Sequence, residues 1–81
     1  MNQSIQILDG AVYIANRHAL QIQAIAHGQL IACYMSGADQ QGLLALYAER
    51  QFDIEELLEA LIEDECFDAD GDIHLSVQQL S

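Results

Sequence analysis

The chain has no lysine and only two arginines, Arg17 and Arg50, against 13 acidic residues, for a formal net charge of −11. Such a field repels nucleic-acid phosphates and anionic membrane surfaces. Direct binding to DNA or RNA is therefore disfavoured, whereas a basic protein or divalent cations would be attracted. No stretch approaches the ~18 apolar residues of a membrane span. Met1 to Asp9 lacks the basic start and long apolar run of a signal peptide, so a cytoplasmic chain is expected. Cysteine is scarce, and in that compartment Cys33 and Cys66 read as free thiols rather than a disulfide. Proline, internal repeats and low-complexity tracts are absent. So is a glycine-rich phosphate loop, because Gly28, Gly37 and Gly42 stand isolated.

What is present is hydrophobic, at 52% of the residues, which is too much for a disordered chain. Its 81 residues hold a single domain, residues 1–81, with one thin core and little room for a large cofactor. The charge is uneven along it. Asp9 is the sole acid before Gly37, whereas the segment from Asp53 to Asp72 is crowded with carboxylates.

Ser4 to Leu8 alternates Ile5 and Ile7 with polar neighbours, a strand pattern, and Asp9-Gly10 reads as a hairpin turn before Val12 and Ile14. After a break at Asn16 to His18, Leu20, Ile22 and Ala24 alternate with Gln21 and Gln23. His27-Gly28 fits a two-residue turn. In the next strand Leu30, Ala32 and Tyr34 form one face and Ile31, Cys33 and Met35 the other. Both faces are apolar, which indicates a central strand or a face covered by a second subunit. Ser36 with Asp39 suggests a capping box for a helix bearing Leu43, Leu44, Leu46 and Tyr47. Asp53 with Glu56 suggests a second, before Ile54, Leu57, Leu58, Leu61 and Ile62. One helix or two across Arg50 to Asp53 stays open. After a turn at Phe67 to Gly71, Ile73, Leu75 and Val77 alternate as a last strand. The order indicates an α+β fold: a small antiparallel sheet of three to five strands, one long or broken helix on one face, and a closing C-terminal strand.

Asp68, Asp70, Gly71 and Asp72 resemble a calcium loop, but neither possible register supplies the glycine and the closing glutamate together. A solvated acidic turn is expected there. His18, His27 and His74 lack the short paired spacing of zinc ligands. Ser36-Gly37 lacks the nucleophile-elbow spacing, and Cys33, between Ala32 and Tyr34 on a strand, suits a packed, inert thiol. No enzyme, metal or cofactor is expected. Glu55, Glu59 and Glu63 recur at i, i+4, i+8 opposite the leucines, the pattern of a solvated helix face. Like charges at that spacing cost a few tenths of a kcal/mol per pair. This face either keeps the protein soluble or receives a basic partner.

These segments resemble the bacterial domain of unknown function family 1488. The opening Met1-Asn-Gln-Ser-Ile-Gln-Ile-Leu-Asp9 is similar to that family's start, and His27-Gly-Gln-Leu-Ile-Ala-Cys-Tyr-Met-Ser-Gly37 to its turn and strand. The helix segment Tyr47-Ala-Glu-Arg-Gln-Phe-Asp-Ile-Glu-Glu56 and the closing Gly71-Asp-Ile-His-Leu-Ser76 follow in order. The resemblance implies a compact α+β fold with a few antiparallel strands and a long helix, and no catalytic residues to carry over. The expected function is a non-catalytic cytoplasmic interaction protein that pairs with itself as a homodimer. The alternative is an acidic regulator that offers Glu55, Glu59 and Glu63 to a basic protein, as a nucleic-acid mimic.

Overall fold

The alternation of small and branched apolar residues between Ala19 and Met35 builds the centre of the molecule. In the computed structural model, which describes residues 5–80, these residues form two antiparallel strands, β2 (Ala19–Ala26) and β3 (Gln29–Ser36). They are joined at His27-Gly28, where both residues take positive φ (53° and 78°), the twist a tight hairpin needs and glycine supplies without strain. Met1 to Ser4, which open the family motif and the first strand pattern, lie outside the described residues.

Strand β1 (Ile5–Ile14) pairs antiparallel with β2 both before and after Asp9-Gly10, and this corrects the hairpin expected there. A two-residue hairpin turn of the Asp-Gly kind needs positive φ at both residues. Only Gly10 has it, at 102°. Between the pairs Ile7–Ala24 and Ala11–Ile22, the residues Leu8, Asp9 and Gly10 stand opposite Gln23 alone, so the segment is a bulge. Two extra residues preserve the alternation, and Ile5, Ile7, Ala11 and Tyr13 all pack on the core. The helices hold the bulge in place. Tyr47 Oη accepts from Gly10 N at 3.0 Å, and Gln51 Nε2 donates to Asp9 Oδ1 at 2.8 Å.

The helix region is broken into α1 (Gln40–Glu49) and α2 (Gln51–Glu63), with the break at Arg50 (φ −127°, ψ 36°). Neither capping box forms as expected. Ser36 ends β3, and Asp39 caps α1 by accepting from Gly42 N at 2.8 Å. Asp53 lies inside the first turn of α2 and pairs with Arg50 at 3.0 Å. The closing strand β4 (Ile73–Ser76) pairs with β3 in parallel, which completes the sheet order β1-β2-β3-β4. The sheet is thus antiparallel except at this edge, because the helices act as the crossover that a parallel neighbour requires. A 3-10 turn follows at Val77–Leu80, where strand alternation had been expected at Val77.

Both helices lie on one side of the sheet. Leu43, Ile54, Leu58 and Ile62 meet Leu20, Ile22, Cys33, Met35, Ile73 and Leu75 in a single buried cluster. Leu44 faces out, at 40% exposed, and Leu57 and Leu61 are only partly buried, so the helix stripe is narrower than its leucines suggest. Leu58→Ala, at a fully buried position facing the sheet, should lower unfolding free energy by about 2–5 kcal/mol, read by chemical denaturation. A loss well under this range would mean that α2 is not packed as described.

Candidate interaction surface

A helix layer on one face leaves the other side of the sheet uncovered. The strand pairing brings Gln6, Val12 and Ile14 of β1, Gln21, Gln23 and Ile25 of β2, and Leu30, Ala32 and Tyr34 of β3 to that side. Leu30 and Val12 are 63% and 60% exposed. A hollow of about 360 Å³ opens where the bulge meets the two glutamines, lined by Leu8, Asp9, Val12, Gln21 and Gln23. Apart from Asp9 at the rim of this hollow, β1 to β3 bring no acidic residue to this face. Asp9, the one acid in those strands, is bonded to Gln51 on the helix side.

A polar and aromatic row crosses the β3–β4 edge of the same face. Arg17 ends the 3-10 turn between β1 and β2, and its Cζ lies 4.0 Å from the centroid of the Tyr34 ring. The tyrosine is buried, and its hydroxyl accepts from Gln21 Nε2 at 3.1 Å. His74 of β4 stacks on the same ring at 5.7 Å between centroids. His74 Nε2 meets Asp68 Oδ2. This row was not foreseen from the sequence. It depends on β4 lying parallel beside β3, which sets His74 opposite Tyr34, and no local spacing announces that pairing.

The acidic turn has a structural use. Asp68 Oδ1 accepts from the backbone N–H of Asp70 and of Asp72, each at 2.9 Å. These bonds and the His74 contact, led by the Asp72 amide, hold its carboxyl below the ordinary 3.8. Asp68, Asp70 and Asp72 offer oxygens within 4.8 Å of one another. Both Asp68 oxygens are engaged within the protein, so this carboxylate braces the turn.

The remaining candidates are scattered. Glu55, Glu59 and Glu63 share the outer side of α2, with Glu55 half-buried and accepting from Gln51 Nε2 at 3.0 Å. Exposed Phe52 lies among these carboxylates, an apolar signal the charge pattern masked. Cys33 is buried in the core and Cys66 exposed. Burial, aided by the charge of Asp72, pushes the Cys33 thiol up to about 12, so it is protonated at neutral pH. Among the described residues no helix is long and apolar enough to cross a membrane.

The geometry defines a class: a two-layer α+β protein with one sheet face covered and the other open. Residues 5–75 match the family described as "Protein of unknown function (DUF1488)", and the chain belongs to that family, as its segments had indicated. It is also similar to a protein of unknown function of the same family from Shewanella loihica PV-4, whose crystal structure was determined at 1.60 Å. The two are 31% identical, with a TM-score of 0.79 over 93% of this chain and 94% of that one. No curated protein matches the chain.

Two outcomes follow for the side chains described. A thiol reagent should modify Cys66 rapidly in the native protein and Cys33 only after denaturant is added; two fast thiols would contradict the buried core position. For Asp68, the folded-state pKa lies below the unfolded one. Its contribution to stability is therefore complete above pH ~4 and is lost as pH falls through the folded value. Thermal melts from pH 6 down to pH 2 should show a steeper loss for the native chain than for Asp68→Asn. Parallel curves would show that the carboxylate does not brace the turn.

Proposed function

We propose that this is a non-catalytic cytoplasmic interaction protein that works as a homodimer, with the open sheet face as its interface. The observation that carries the reading is the exposure of Leu30 and Val12 on a face to which β1 to β3 bring no acidic residue apart from Asp9 at the rim of its hollow. Two copies of a chain with net charge −11 repel one another wherever their acidic surfaces meet. The outer sheet face is where they can approach with least repulsion and bury apolar surface. Closed two-fold pairs are the commonest assemblies, and such a contact uses the same patch on both copies.

A non-catalytic role agrees with how the reactive groups are used. The Cys33 thiol is buried and protonated, and Asp68 is committed to its turn. A second reading, an acidic regulator of a basic protein, is favoured by Phe52, which stands 84% exposed beside Asp53, Glu55 and Glu56 on α2. An apolar anchor among carboxylates suits a basic, amphipathic partner.

Light scattering coupled to size exclusion, at high micromolar concentration and two salt concentrations, separates these readings. A dimer that persists at high salt is expected for the native chain, and Leu30→Glu, which places a carboxylate on the face, should be monomeric with an unchanged circular dichroism spectrum. A native chain that stays monomeric would overturn the homodimer and leave the Phe52 face of α2 as the binding surface.

A further inference from the structure

The two arginines of this chain are used differently. Arg50 pairs with Asp53 of its own helix. Arg17 is exposed, and among the described residues no carboxylate lies within ion-pair distance of it. Its guanidinium is instead held over Tyr34, whose own position is set by Gln21 and His74. A cation kept without an internal counter-charge, in a chain with 13 acids, is available to an acid from outside. The anion is constrained by the symmetry of the pair. Tyr34 lies toward one end of β3 and Leu30 toward the other, about 13 Å away at the usual rise per strand residue. At the Leu30 end, Asp70 shares a surface hollow with Leu30, Gln29 and Phe67. Its backbone N–H donates to Asp68, and its carboxylate, in the cluster with Asp68 and Asp72, has no hydrogen-bond or ion-pair partner among the described residues. A two-fold axis passing near Ala32 lays the Tyr34 end of one copy on the Leu30 end of the other.

We propose, resting on the homodimer reading, that Arg17 fixes the register of the pair by reaching the partner's Asp70, a contact made twice across the two-fold axis. Arg17 and Asp70 are then specificity-determining residues of the interface, and the apolar residues between them supply its area. The pairing also selects against the reversed register. A copy turned end for end presents Arg17 to the partner's Arg17 and Asp70 to the partner's Asp70, and both contacts are repulsive.

The test is a charge swap, read by sedimentation equilibrium. Arg17→Asp alone and Asp70→Arg alone should each weaken the homodimer about tenfold, because each places like charges opposite one another. An equimolar mixture of the two variants should regain native affinity as a heterodimer, in which every contact is again between opposite charges. Arg17→Gln, which removes the charge without reversing it, should give a smaller loss. All the positions are exposed, so circular dichroism should be unchanged. A native dimer with single variants of undiminished affinity, or a mixture with no preference for the heterodimer, would overturn the Arg17–Asp70 pairing while leaving the homodimer reading intact. A native chain that is monomeric would sink both.

Discussion

A single helix layer has to bury one face of a four-stranded sheet, and the other features of the molecule are arranged around that requirement. Leu20, Ile22, Cys33 and Met35 point at α1 and α2, and the alternation of the strands then forces Gln21, Gln23, Leu30 and Tyr34 to the opposite side. The bulge in β1 obeys the same constraint. It adds two residues rather than one, so Ala11 and Tyr13 return to the covered face after it. An insertion of one would have turned Val12 inward and Tyr13 to solvent.

Charge follows the same division. The carboxylates of α1 and α2, of the segment after α2, and of the turn before β4 lie on the helix layer or at the β4 edge, and the strands β1 to β3 add only Asp9, at the rim of the hollow on the open face. A protein of this charge gains solubility from such a surface. It also acquires one side on which contact with an equally charged copy is least opposed. The Asp68 turn puts part of the dense acidic segment to structural use. The backbone amides of Asp70 and Asp72 and the ring of His74 engage both oxygens of Asp68 and brace the turn before β4.

Much of the fold was legible locally. The strand patterns of β2 and β3, the positive-φ turn between them, and the stripe of Ile54, Leu58 and Ile62 each follow from spacing over a few residues. The errors arose where a distant group supplied what the local pattern had to guess. Asp9-Gly10 has the composition of a hairpin turn, but Tyr47 and Gln51 bond it from the helices and hold it as a bulge. Ser36 and Asp53 have the residue types of helix caps, but the sheet claims Ser36, and α2 begins before Asp53. The acidic stripe of Glu55, Glu59 and Glu63 was visible as a pattern, and Phe52 beside it was not, because an exposed phenylalanine looks like a core residue until burial is known.

The sequence by itself determined the α+β class, the one-sided charge and the two apolar faces of β3, since each depends on composition or on a period of two or three to four residues. It could not determine which face the helices cover, because both faces of β3 are apolar and only the packing of α1 and α2 distinguishes them. Tertiary structure alone decided the direction of β4, and with it the stacking of His74 on Tyr34 that completes the row from Arg17 to Asp68. Asp68 lies only six residues before His74, and Arg17 meets Tyr34 within the β1–β3 meander, but the two halves of the row join only because the helical crossover returns the last strand parallel to β3 and sets His74 opposite Tyr34.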